Sequence, residues 1–84
     1  MLLEFYGKEC PHCVRMHELV KKLESEEGIK VETFEVWHNE ENQKKMDEYD
    51  KGLCDGVPFF YNTKSNKYIC GETSYEELKN WAES

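Results

Sequence analysis

The residues Cys10-Pro11-His12-Cys13 stand directly after a short apolar run, Leu2-Leu3-Glu4-Phe5-Tyr6, and directly before a long amphipathic segment. A chain written in that order hands a strand over to a helix at its first cysteine. The first turn of a helix carries unsatisfied backbone N–H groups and roughly half a positive charge, and both favour a thiolate over a thiol. Pro11 suits the first helical position, where its missing N–H costs nothing and its φ is already helical. The pair therefore reads as a dithiol redox site, with Cys10 at the cap and the more exposed, and Cys13 one turn in on the apolar face. Two cysteines at this spacing also serve as half of a structural zinc site. No second CxxC or HxxxH follows, however, and Cys54 and Cys70 stand alone, sixteen residues apart.

Periodicity orders the rest. Leu2 to Tyr6 reads as a first strand, and Cys13, Met16, Val20 and Leu23 put one buried face on a helix from about Pro11 to Glu27 that Gly28 stops. Ile29 to Trp37 alternates with period two, a second strand. Asn39 caps a second helix through about Lys51, with Met46 and Tyr49 as a thin apolar stripe and Gly52 at its end. Val57 to Tyr61 and Lys67 to Cys70 read as a hairpin about the polar loop Asn62 to Asn66. Ser74-Tyr75-Glu76-Glu77 is a capping box for a last helix that buries Leu78 and Trp81. The order is β-α-β-α-β-β-α. A right-handed crossover makes the first two strands parallel neighbours, and the hairpin adds antiparallel strands to the same sheet.

At 84 residues this is a single domain, residues 1–84, with one small core. The longest apolar stretch, Val57 to Tyr61, is five residues and includes Pro58, so no membrane segment is expected. The net charge of −7 makes nucleic acid an unsuitable partner. Residues 1–22 hold four basic and three acidic side chains, whereas residues 23–84 hold seven and fifteen. The dithiol is thus spared the acidic field that would raise a thiol pKa. Met1 leads straight into the first apolar run without the pattern of a secretory signal, and the uneven cysteines do not suggest a secreted disulfide framework. A cytoplasmic monomer is expected.

That order, with Cys10-Pro11-His12-Cys13 at the first strand–helix junction and Gly56-Val57-Pro58 opening the third strand about 45 residues on, resembles the thioredoxin fold in its minimal, glutaredoxin-like size. The resemblance covers essentially the whole chain. It implies an α/β protein with a four-stranded mixed sheet and three helices, a cis Pro58 packed against the dithiol, and a role in electron transport and cell redox homeostasis. Lys8 lies two residues before Cys10, as a lysine does in the glutaredoxin pattern, where it is associated with the thiolate and a glutathione carboxylate. Cys70-Gly71-Glu72-Thr73 matches the glutaredoxin G-G-x-D region with two departures: cysteine replaces the first glycine, and Thr73 replaces the acid that would receive the glutathione amine. His12 replaces the glutaredoxin tyrosine and resembles the active-site histidine of periplasmic disulfide oxidases and isomerases, which helps stabilise the thiolate.

The function these features point to is thiol–disulfide exchange, with Cys10 attacking and Cys13 resolving. Pro11, His12 and Pro58 would support the site, and Lys8, Val57, Gly71 and Thr73 would bind substrate. No cofactor or metal is required. The partners are a disulfide-bearing protein or small thiol and a cellular reductant, either a reductase or glutathione; with Thr73 uncharged, glutathione is expected to serve poorly. Cys54 and Cys70 form a candidate second thiol pair, or are simply small buried hydrophobes. The alternative from another class is a zinc or iron–sulfur module in which Cys10, Cys13, Cys54 and Cys70 converge. His17, one turn after Cys13, reads more simply as an exposed histidine than as a modulator of that thiol.

Overall fold

A computed structural model describes residues 1–84. The elements are β1 (Leu2–Tyr6), α1 (Pro11–Glu27), β2 (Val31–Glu35), α2 (Glu40–Asp50), β3 (Phe59–Asn62), β4 (Lys67–Cys70) and α3 (Tyr75–Glu83), in the expected order. They form one sheet ordered β2-β1-β3-β4, with β1 and β2 parallel and the other two pairings antiparallel. This is the minimal thioredoxin-like architecture.

Alternation along the central strands splits the core into two layers. Met16, Val20 and Leu23 of α1 pack with Val31, Phe60, Leu78 and Trp81 on the face that α1 and α3 cover. Leu3, Phe5, Val36, Met46 and Phe59 fill the opposite face under α2. Each fully buried apolar side chain contributes roughly 1.5–3 kcal/mol, and six of these twelve lie on helices and six on or beside the strands, so the two share the cohesion.

Local chemistry sets the ends of the elements. Gly28 stops α1 in the left-handed region (φ 65°) and returns its N–H to the Glu24 carbonyl. The Asn39 and Ser74 side chains accept from the N–H groups of Asn42 and Glu77, capping α2 and α3. Three boundaries differ from expectation. The second strand spans Val31–Glu35 rather than Ile29–Trp37, because the Glu24 carboxylate takes the Val31 N–H at its start and the Glu35 carboxylate takes the N–H groups of Trp37 and His38 at its end. The third strand starts at Phe59, after a cis Val57–Pro58 bond, and extends to Asn62. Lys51 rather than Gly52 is the left-handed cap of α2.

Candidate active site

Cys10 is the N-cap of α1, in extended backbone (φ −81°, ψ 114°), and Pro11 is the first helical residue. The Cys10 N–H bonds the Gly7 carbonyl (3.1 Å), which closes the turn out of β1. The Cys10 Sγ accepts the Cys13 N–H at 3.2 Å and lies 4.0 Å from the Val57 carbonyl oxygen. A sulfur bearing negative charge makes the better use of such an N–H. No acidic residue occupies the first turn of α1. Both cysteines are free thiols.

The expected difference in exposure is absent: Cys10 and Cys13 are each 3% exposed. What separates them is environment. Cys10 faces the Val57–Pro58 edge, whereas Cys13 sits on the buried face of α1 with Met16, Val20 and Leu23. Burial, the hydrogen bond to Cys10 and the nearby Glu4 carboxyl together push the Cys13 thiol up to about 12. Cys13 is held as a thiol while Cys10 takes the capping position.

Glu4, which the sequence reading left unassigned, lies behind Cys13. It is 1% exposed, its Oε1 has no hydrogen-bond partner, and burial, with a contribution from the Glu24 charge, raises its pKa to about 7. The available signal was a carboxylate inside the apolar run Leu2 to Tyr6, six residues before Cys10. Beside it opens a cavity of about 210 Å³, walled by Glu4, Tyr6, Lys8, Cys13, His17 and Thr33, with Gly7 and Val14 at its margin.

The supporting residues divide. Pro58 is cis and buried, and it follows the Val57 carbonyl that lies 4.0 Å from the Cys10 sulfur. Gly71, in the left-handed region (φ 89°), donates its N–H to the Pro58 carbonyl (2.8 Å), tying the end of β4 to the loop facing Cys10. His12 does not turn to the sulfurs. Its Nδ1 is 2.7 Å from the Glu72 carboxylate, which the Arg15 guanidinium also approaches at 3.4 Å, and these contacts hold the Glu72 carboxyl below its ordinary range. The Thr73 hydroxyl is committed to the Glu77 carboxylate (2.6 Å) and its N–H to the Met16 sulfur (3.5 Å). Lys8 is exposed, gives its backbone N–H to Glu35 and borders the cavity. Glu9, directly before Cys10, pairs with His38 Nε2 at 2.7 Å and so pushes the His38 imidazole above its usual range. The Trp37 ring, half exposed, covers Gly7 so closely that a β-carbon there would enter it.

Cys54 and Cys70 form a disulfide with their Cα atoms 5.4 Å apart. Neither is a buried hydrophobe, since Cys70 is exposed and Cys54 half-buried. The bond joins the loop before Val57 to the end of β4. Cys70 stands opposite Phe59, whose side chain belongs to the α2 face, whereas Cys13 belongs to the α1 face. The four sulfurs thus do not converge, and no group of three or more His, Cys, Asp or Glu side chains is placed to hold a metal ion.

No protein-family model and no curated protein matches the chain in sequence. Solved structures do match in fold. A mutant of a thioredoxin-like protein superposes with a TM-score of 0.73 at 16% identity, over 98% of this chain and 94% of the other. A glutaredoxin from Archaeoglobus fulgidus gives 0.69 at 25% identity, over 99% and 86%. An uncharacterized thioredoxin-like protein from Clostridium perfringens gives 0.76 at 21% identity, over 98% and 67%. Element order, sheet topology and these likenesses show a thioredoxin-like fold. In particular, this chain has the glutaredoxin-sized form of that fold, with the sequence Cys10-Pro11-His12-Cys13 at the first helix cap, an arrangement that fits a redox role.

Proposed function

We propose that the chain is a thiol–disulfide oxidoreductase. The observation that carries this reading is the free-thiol pair at the cap of α1: a Cys10 sulfur receiving a backbone N–H, and a Cys13 thiol buried on the helix face, lining one cavity with the buried Glu4 carboxyl. The Cys10 thiolate attacks one sulfur of a substrate disulfide, forms a mixed disulfide and expels the other sulfur as thiolate. Bonding to substrate removes the Cys10 charge, which had helped to keep Cys13 protonated. The Glu4 carboxylate then takes the Cys13 proton, for which a pKa near neutrality suits it. The Cys13 thiolate attacks Cys10 Sγ, the Cys10–Cys13 disulfide forms, and the second substrate thiolate leaves. Two electrons pass to the substrate, and an external dithiol or glutathione returns them.

Lys8, Val57, Gly71 and Thr73 border the approach to Cys10 in this reading, with Val57 and Gly71 offering backbone and Lys8 a charge. Disulfide-bearing proteins fit better as substrates than glutathione mixed disulfides. The Thr73 hydroxyl is already spent on Glu77, Thr73 brings no charge, and the neighbouring Glu72 is paired with His12 and Arg15. A reductase is the electron donor in this reading, and the setting is one in which the Cys54–Cys70 disulfide persists.

The test is trapping. Cys13→Ser should accumulate a covalent adduct with a disulfide substrate through Cys10, visible by mass spectrometry and released by dithiothreitol, while Cys10→Ser should form none and lose insulin reduction. An adduct formed through Cys13 in Cys10→Ser would reverse the assignment, and Cys10-independent activity would end the proposal.

A further inference from the structure

The cavity beside Glu4 is lined by Cys13 and Lys8 but by none of Cys10, Val57 and Pro58, so it reaches the resolving thiol from a side that the Val57–Pro58 loop does not border. Glu4 lines it, and the Oε1 of that carboxyl is buried and without a partner. Such an atom costs about 1–3 kcal/mol unless something polar reaches it, and this cavity is where that can happen. At about 210 Å³ it has room for several waters, each occupying ~30 Å³ in the liquid. Resolution requires one proton to leave Cys13 while a substrate covers the Cys10 edge. Glu4 then has to pass that proton on by another route.

Few groups on the cavity wall can accept it. The groups facing Glu4 are Tyr6 of its own strand, Lys8 of the following turn, Cys13, His17 and more distantly Glu24 of α1, and Thr33 of β2; on β3 it is paired with the apolar Phe60. An ammonium has no lone pair to receive a proton, and a phenol or hydroxyl is a poor carrier near neutrality. Imidazole is the side chain whose ordinary titration falls between about pH 5 and 8. His17 is exposed and lies four residues after Cys13, hence one turn along on the same face of α1, at the cavity wall. We propose that His17 is a relay residue acting through Glu4: it carries the proton between the Glu4 carboxyl, with which it shares this cavity, and solvent each time Cys13 is deprotonated or reprotonated.

The inference rests on the oxidoreductase reading, and a two-step reaction separates the two. A symmetrical aryl disulfide gives one aryl thiolate when Cys10 attacks and a second when Cys13 resolves, so absorbance follows each step across pH in stopped flow. His17→Gln should leave the first phase at its wild-type rate. The second phase should slow by roughly 5- to 20-fold near neutral pH, with an altered pH profile, which is a modest share of the ~100-fold or more ascribed to full acid–base catalysis. Imidazole added to His17→Gly should restore most of the second phase. Glu4→Gln should slow the second phase as well, and adding His17→Gln to it should slow it little further. A second phase that is unchanged in His17→Gln at every pH, or slowed without imidazole rescue, overturns the relay while leaving dithiol exchange standing. Absence of a Cys10-dependent first phase overturns the oxidoreductase reading itself.

Discussion

Two polar side chains are buried in the middle of this sheet, and the protein treats them in opposite ways. Asn62, at the end of β3 away from the dithiol, is 2% exposed and fully engaged. Its Nδ2 donates to the carbonyls of Trp81 (3.0 Å) and Ser84 (3.3 Å), and its Oδ1 accepts the N–H groups of Lys64 (2.9 Å) and Ser65 (3.4 Å). One amide thereby joins the β3–β4 turn to the end of α3. Glu4, on the neighbouring strand near the dithiol, is equally buried, yet leaves an oxygen unmatched and faces a cavity. A buried polar group with all its partners specifies a fold, whereas one left short keeps its chemistry available.

The comparison is broken most severely by removing the titration of Glu4. Its folded pKa of about 7 lies above the ordinary 4.5, so between these values the folded chain holds a proton that the unfolded chain releases. Stability from this group is fully present below about pH 4.5 and lost as pH rises through 7, amounting to ~3 kcal/mol at one pKa unit per 1.36 kcal/mol. Urea unfolding of the wild type and Glu4→Gln from pH 4.5 to 8 should show the wild type falling relative to the variant by that amount. Parallel profiles would mean that Glu4 is solvated.

Asn62→Ala should cost about 2 kcal/mol at every pH, because it strands buried carbonyls and N–H groups at the far end of the sheet. Insulin reduction per folded molecule should be unchanged. A loss of turnover matching the loss of stability would show that the two ends are coupled. The mildest test is Ser74→Ala, which removes the cap of the helix that brings Trp81 to Asn62. About 1 kcal/mol is expected, again without a pH component, from thermal or urea midpoints.

Features carried by local chemistry were legible in the sequence, and those set by packing across the sheet were not. Pro11 and the two cysteines announce their own strand–helix junction, Asn39 and Ser74 their caps, and Met16, Val20 and Leu23 their buried face. Glu4 is different: one charge in an apolar strand becomes buried only because β1 is a central strand and α1 lies across it. His12 likewise promised a thiolate partner from its place in the motif, but Glu72, sixty residues away, claims the imidazole. The burial of Cys10 comes with a Val57 carbonyl 4.0 Å from its sulfur, a contact made 47 residues along the chain rather than within the motif. Asp50 ends α2 buried, where its carboxylate accepts the N–H groups of Cys54 and Asp55 and shapes the loop that places the Cys54–Cys70 bond.

The placement of the two tryptophans gives each end of the molecule its own light source. Trp37, half exposed on Gly7, shares a shallow pocket with Val57, whose carbonyl faces Cys10. Trp81 is buried against Phe60 at the other end, with its indole N–H on the Lys67 carbonyl. Emission from Trp37, beside the turn that leads into the dithiol, is therefore expected to follow its redox state, while emission from Trp81 should shift when the core opens to water. With Trp37→Phe or Trp81→Phe in hand, redox chemistry and unfolding can be followed separately in the same cuvette, without an attached dye.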